Sequence, residues 1–216
     1  MRKNNTSYVE AKTKNQKEYI LSIINNIITI CIGQAGVGKS YIPLGLAIEH
    51  IERNDRPQKQ LIITRPLISV GTDIGSLPGT IDERIFPYFR PAYFNLLKII
   101  GSENKLKKMI LDRTIMFEPL ELMRGMTYDD SYIVVDEAQD TTAEQMLMVL
   151  TRIGENSKII INGDLDQTDI KGINGLYKCL DVFSNVDYAQ IIEMTENDQQ
   201  RNSIINRICN DFRKVK

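Results

Sequence analysis

A chain of 216 residues has room for one ordinary globular domain and is short of what two well-cored domains need. With 42% hydrophobic and 25% charged residues it can bury a real core, which excludes collagen-like, mucin-like and largely disordered classes. Lys and Arg number 27 against 28 Asp and Glu, so no whole-molecule field draws the chain onto nucleic acid or an anionic membrane, and such binding must use a local patch.

In chain order, residues 1–11 are polar and read as a flexible arm, with one domain expected over 12–216. No apolar leader follows Met1, and the longest near-apolar run, Ile27–Ile32, is too short to cross a bilayer. Cys31, Cys179 and Cys209 are odd in number and widely spaced, which argues against a disulfide framework and for a reducing, cytoplasmic setting without membrane contact. Strands are expected at Ile27–Ile32, Leu61–Thr64, Thr114–Phe117, Tyr132–Val135, Lys158–Ile161 and Ala189–Met194, separated by longer helical stretches. Several of these runs are continuously apolar, the pattern of parallel strands covered on both faces. The fold class expected is therefore α/β, a three-layer arrangement with helices flanking a mainly parallel sheet.

Directly after the first run stand Gly33, Gln34, Ala35, Gly36, Val37, Gly38, Lys39 and Ser40, a complete G-x-x-x-x-G-K-[ST] phosphate loop opening a helical stretch at Tyr41. The glycines let successive N–H groups curl around phosphates, Lys39 reaches the β and γ oxygens, and the Ser40 hydroxyl ligates magnesium. Residues 33–41 form the candidate nucleotide-binding set. His50, alone on the helix that follows, reads as structural.

Between 66 and 113 Pro66, Pro78, Pro87 and Pro91 with Gly71, Gly75 and Gly79 interrupt the pattern before a mixed helical tail, so a loop and helical insertion is expected there, close to the site. It contains Phe86, Tyr88, Phe89, Tyr93 and Phe94 interleaved with Arg84 and Arg90, either core and interface aromatics or a platform for single-stranded bases. Lys105, Lys107, Lys108 and Arg113, with Arg207, Arg213, Lys214 and Lys216 at the end, read as solvated basic faces.

The fourth run, Tyr132–Val135, ends in Asp136 and Glu137. Behind a phosphate loop, this pair reads as a magnesium carboxylate, Asp136, and a residue that orients or deprotonates the attacking water, Glu137. That combination favours hydrolysis over transfer to an acceptor. A helix is signposted next, with Thr141 and Thr142 as caps, Glu144 and Gln145 three residues on, Met146, Val149, Leu150 and Ile153 inward, and Gly154 at its C-terminal end. After the fifth run comes Asn162-Gly163-Asp164-Leu165-Asp166-Gln167, at the sheet edge where ligands gather, and Gln167 is the candidate γ-phosphate sensor.

The segments GQAGVGKS, IITRP, SLPGT, PYFRPAYF, EPLELMRGMT, DEAQDTTAEQM, LTRIG and NGDLDQTD, taken in order over about Lys12 to Gln167, resemble the PhoH-like ATPases. The resemblance implies a single RecA-like domain related to the first motor domain of superfamily 1 helicases, with magnesium-dependent ATPase activity and action on RNA or single-stranded nucleic acid. It implies that Thr13-Lys14-Asn15-Gln16 is an adenine-reading motif with Gln16 on the base edge. Thr64-Arg65-Pro66 then places Arg65 against the strand, and Gln139 completes a DEAQ box within the nucleotide-binding set. Asp198-Gln199-Gln200-Arg201-Asn202 is similar to the family's Asp-x-x-Arg-His, with Asn202 where histidine is usual, which makes Arg201 the candidate to touch the γ-phosphate in cis. Two-domain motors close a second lobe on ATP, so the resemblance also suggests a homo-oligomeric ring in which Arg124 or Arg152 of a neighbour completes the site.

Two other functions fit parts of the chain. A thymidine-kinase-like phosphotransferase shares the length, the loop and a DEAQ box, but the zinc-binding cysteine pairs of many such kinases are absent here. An assembly module gated by ATP, with little turnover, needs only the binding half of the site.

Overall fold

A computed structural model describes residues 7–67, 81–168, 170 and 172–200. Six strands, β1 (Ile28–Ile32), β2 (Gln60–Thr64), β3 (Ile115–Phe117), β4 (Ser131–Val135), β5 (Lys158–Gly163) and β6 (Ala189–Glu193), form one sheet in the order β3-β2-β4-β5-β1-β6. Every pairing is parallel. Each expected strand is present, because the continuous apolar runs are the ones buried on both faces. β4 is buried at all five positions, and at the edge of the sheet β6 is buried only at Ile192.

Helices α1 (Lys14–Asn25), α2 (Tyr41–Arg53), α3 (Ile81–Ile100) and α4 (Glu103–Leu111) pack on one face around Tyr19, Ile48, Phe89 and Leu96. Helices α5 (Ala143–Leu150) and α6 (Gly175–Val182) cover the other, around Ile133, Ile161, Met146 and Leu176. The three layers are those expected from the sequence. Among the described residues no helix is long and apolar enough to cross a membrane.

Three local expectations change. The arm is docked over residues 7–11: Tyr8 N–H donates to Glu49 at 2.9 Å, its hydroxyl donates to Glu52 at 2.7 Å, and both Tyr8 and Val9 pack on the core. Gly45 permits this, since a Cβ there would collide with the Val9 side chain.

Pro87 and Pro91 do not break the chain into loops. α3 runs unbroken through Pro87 and Pro91 for 20 residues. Both rings are exposed, on the side away from the stripe Ile85, Phe89, Ala92, Leu96 and Ile99 that seats the helix on the core. Burial of that stripe, at roughly 1.5–3 kcal/mol per large side chain, outweighs the missing backbone donors. Residues 68–80, including the SLPGT segment, lie outside the described residues.

α5 starts as its sequence predicts, with Thr142 and Gln145 in a reciprocal capping box at 2.9 and 3.2 Å. It stops at Leu150, however, with Thr151 as its cap, so Gly154 is not the C-terminal cap. Gly154 is required for close approach instead: a Cβ there would meet the Tyr128 carbonyl at 2.6 Å.

His50 is structural, as expected. It is buried on α2 with Nδ1 2.6 Å from the Tyr132 hydroxyl, and burial lowers its pKa below the ordinary histidine value. As the chain's single histidine it gives one imidazole resonance, whose NMR titration midpoint is expected below about 6.5. Because the folded state resists protonation here, stability is expected to fall as pH drops through about 6.5 towards that lower midpoint, and His50→Gln is expected to flatten this slope. A midpoint at or above the ordinary value would contradict the burial.

Candidate active site

The carboxyl ends of the adjacent strands β4, β5 and β1 meet at one edge of the sheet, and the three sequence elements that bear chemistry leave from them. Gly33 N–H donates to the Gly163 carbonyl at 3.2 Å, which pins the start of the phosphate loop to the end of β5. Asp136 N–H donates to the Thr64 carbonyl at 2.9 Å, which fixes the carboxylate pair beside β2. Above them lies a cavity of about 660 Å³ lined by Gly36, Lys39, Ser40, Asp136, Glu137 and Asp164, among others.

The phosphate loop has the backbone its sequence requires. Gly36 and Gly38 take φ of 92° and 104°, and at Gly38 a Cβ would also crowd the Ile42 side chain. Ala35, Gly36, Gly38, Lys39, Ser40 and Tyr41 face the cavity. The Val37 side chain turns into the core, while its carbonyl accepts from Gln16 Nε2 at 3.0 Å. Lys39 Nζ donates to the Gly33 carbonyl and, at 2.8 Å, to that of Gln34, so the ammonium sits inside the curl of its own loop. Burial lowers the lysine pKa, while Asp164, Asp136 and Glu137 oppose that shift.

Ser40 Oγ donates to Asp136 Oδ1 at 2.9 Å across a sequence separation of 96. Burial and the neighbouring Glu137 raise the Asp136 pKa, against the Ser40 hydrogen bond and the charges of Arg65 and Lys39. A hydroxyl and a carboxylate converging beside a phosphate loop are the hard oxygen donors that magnesium takes, so the donor set fits that ion. A further oxygen, Asp164 Oδ2, is buried without a hydrogen-bond partner, on a residue 5% exposed whose Oδ1 accepts from Asp166 N–H at 3.1 Å. Such an oxygen needs a donor from whatever occupies the cavity.

Glu137 holds a left-handed backbone, φ 54°, which turns its side chain towards the cavity as the chain enters a short 3-10 turn. Its Oε2 accepts from Gln139 Nε2 at 2.8 Å, and Gln139 Oε1 in turn accepts the Asp164 N–H at 3.0 Å. Gln139 is 2% exposed and is absent from the cavity lining. Rather than lining the nucleotide set directly, it bridges the carboxylate pair and the β5 loop. Gln167 is exposed at the cavity wall.

Behind the loop stands a layer that sequence reasoning missed. Asn162 Nδ2 donates to the Lys39 carbonyl at 2.9 Å, and the Tyr19 hydroxyl donates to Asn162 Oδ1 at 2.6 Å. Asp198 accepts from Thr13 Oγ1, from Asn15 at 2.9 Å and from Thr195 N–H at 2.8 Å. Burial works against its charged form, but these hydrogen bonds prevail and hold its pKa below the ordinary carboxylate value. Gln199 Nε2 and Gln200 N–H then donate to the Ala35 and Gly36 carbonyls at 2.8 and 3.1 Å. No short-range pattern marks Tyr19, whereas Asn162 opens the segment read for Gln167 and Asp198 lies inside the segment read for Arg201.

A family profile described as PhoH-like protein matches residues 8–213. The chain belongs to the PhoH-like family. A PhoH-like protein of Mycobacterium bovis is 38% identical over 206 residues, covering 94% of this chain and 58% of the relative. One of Bacillus subtilis is 37% identical over 209 residues, covering 95% and 64%, and Protein PhoH of Escherichia coli is 34% identical over 212 residues, covering 96% and 59%. The chain thus spans about three-fifths of the length of these curated relatives. Among solved structures it is similar in fold to the HK97 bacteriophage large terminase, with TM-score 0.55 and 13% identity over 84% of this chain and 39% of that one. A large terminase from a thermophilic bacteriophage gives TM-score 0.51 and 12% identity over 92% and 49%.

Within this PhoH-like domain the remaining candidates scatter. Gln16 lines the cavity, but its amide is engaged by Lys12 N–H at 2.8 Å as well as by Val37. Arg65 Nη1 donates to the Tyr88 carbonyl at 3.0 Å, which ties it to α3 rather than to an open strand surface. Arg152 bonds the Met148 and Met126 carbonyls and the Thr151 hydroxyl, a structural engagement of its guanidinium. Arg124 is exposed. Arg201 and Cys209 lie outside the described residues. Cys31 and Cys179 are buried free thiols whose pKa values burial raises, so neither is set up as a nucleophile.

Proposed function

We propose that this domain binds ATP with magnesium in the cavity at the ends of β1, β4 and β5, hydrolyses it, and couples that turnover to RNA or another single-stranded nucleic acid. The observation that carries the reading is the convergence of Lys39, Ser40, Asp136 and Glu137 on one cavity, with the Ser40–Asp136 contact at 2.9 Å. The loop N–H groups take the phosphates, and Lys39 exchanges the carbonyls of Gly33 and Gln34 for the β and γ oxygens. Ser40 and Asp136 would hold magnesium, which neutralises charge on the phosphates when bound. Glu137 orients a water and accepts its proton as the water oxygen bonds to the γ-phosphorus and the bond to the bridging oxygen breaks, releasing phosphate and ADP. Gln167 contacts the γ-phosphate or the water from the β5 loop.

Gln16 is read as the adenine contact, using amide capacity left after it braces Val37. Arg201 is read as the cis arginine, a reading supported by Gln200, which sits against Gly36 through its backbone N–H. For a trans arginine in a homo-oligomer the exposed Arg124 is the better placed candidate, since Arg152 is engaged by its own chain. The cytoplasm is the setting we propose.

Phosphate release is expected to require ATP and magnesium and to rise with single-stranded RNA. RNA-independent turnover would remove the nucleic-acid coupling and leave the ATPase, whereas ATP binding without turnover would favour the gated assembly module. Transfer of label from ATP to added thymidine would favour the kinase.

A further inference from the structure

Along α3 the spacing i, i+4, i+7, i+8 brings Phe86, Arg90, Tyr93 and Phe94 onto one face beside the buried stripe, with Tyr93 half-buried against the core. Phe86 and Phe94 are 42% and 52% exposed, unusual for phenylalanine, a residue most often buried. The rings touch one another: Phe86 and Tyr93 meet edge to face at 5.4 Å, and Tyr93 and Phe94 at 5.8 Å. Arg90 lays its guanidinium over the Phe94 ring at 5.7 Å. Lys107 of α4, 64% exposed and within electrostatic reach of Tyr93, stands beside the cluster. Glu103, paired with Lys107 at 2.8 Å, and the exposed Glu83 are acids of the same region.

We propose that this face of α3 is a stacking platform for the bases of a single-stranded nucleic acid, with Arg90 contacting phosphate or stacking on a base. The inference rests on the nucleic-acid coupling proposed above and deepens it. Exposed rings next to cations suit a ligand that alternates π-faces with negative charge, since bases stack on aromatics and guanidinium planes while phosphates take the charge. Aromatics and arginine are also enriched where copies of a protein meet, so sedimentation is read beside strand binding. The same helix also reaches the nucleotide. Pro91, Asn95 and Lys98, on an adjacent strip of α3, line the ATP cavity, and Arg65 fastens the helix at Tyr88 next to Asp136. A shift of α3 on ATP binding would therefore move the platform as one rigid piece.

The chain has no tryptophan, so Phe94→Trp introduces a single reporter. Its fluorescence is expected to be quenched by oligo(U) and oligo(A) and to be unmoved by an abasic strand of equal length. By anisotropy, Phe86→Ala/Phe94→Ala is expected to bind the base-bearing strands about tenfold or more weakly and the abasic strand as wild type does, with an unchanged thermal midpoint. Arg90→Gln is expected to lower the salt slope of binding by about one. If wild type binds base-bearing strands and the double variant binds them equally well, the platform is wrong and the coupling stands. If wild type binds no strand, both readings fail. A double variant that keeps its preference for base-bearing strands but sediments as a smaller species overturns the platform in favour of an interface between copies.

Discussion

Glu137→Gln is expected to slow phosphate release roughly 10²–10⁴-fold while ATP remains bound, because the change removes only the group that takes the water's proton. The substitution preserves size at a position with left-handed backbone, φ 54°, so it neither adds nor relieves strain there. The side-chain oxygen of the new amide can still accept from Gln139, which donates to Glu137 at 2.8 Å, and the bridge to Asp164 survives. Loss of the Glu137 charge also removes one of the repulsions that raise the Asp136 pKa, so magnesium affinity is not expected to fall. Single-turnover phosphate release beside equilibrium binding of a fluorescent ATP analogue separates the two effects. Turnover at the wild-type rate would place the base elsewhere, with Asp164 next in line by its unpartnered Oδ2.

Lys39→Ala is expected to abolish turnover and to weaken ATP binding by at least about 10²-fold, a larger effect on affinity than any other change in the cavity. The ammonium is the cation that Asp164, Asp136 and Glu137 share, and it occupies the centre of the loop through the carbonyls of Gly33 and Gln34. Without it the phosphates enter a site lined by Asp136, Glu137 and Asp164 with no cation inside the curl of the loop. Stability moves less than function, because burial disfavours the ammonium while the carboxylates favour it, and the two act in opposite directions. A normal thermal midpoint together with lost binding of the fluorescent analogue is the expected pair of results. Retained binding would mean that the backbone N–H groups alone hold the triphosphate.

Most of the architecture is readable one segment at a time. The strands are legible because residues such as Ile133, Val134 and Val135 are apolar without alternation, and that pattern reports burial on both faces whatever the neighbours are. The α5 start is legible because a capping box joins residues three apart. α3 was not, since Pro87 and Pro91 are locally unfavourable in a helix and only the packing of Phe89 and Leu96 against the rest of the core outweighs them. Gly154 misled for the opposite reason: glycine after an apolar helix reads as a cap, whereas here it admits the Tyr128 backbone from a distant loop.

Short segments of the chain already carry the chemistry available to this protein: a phosphate loop from Gly33 to Ser40, a carboxylate pair at Asp136 and Glu137, and a Gly-Asp turn after β5. What those groups do to one another comes from the assembled fold. It brings Ser40 onto Asp136, makes Gln139 a bridge between Glu137 and Asp164, and ties Thr13 to Asp198 across a sequence separation of 185. It also sorts the aromatics of α3 into a buried Phe89 and an exposed Phe86 and Phe94. The division has a physical cause. Periodicity, capping and turn chemistry act over a few residues and are written in the local sequence. The strand order β3-β2-β4-β5-β1-β6 that sets one loop beside another follows from how whole helices cross over and pack on the sheet, which no short segment records.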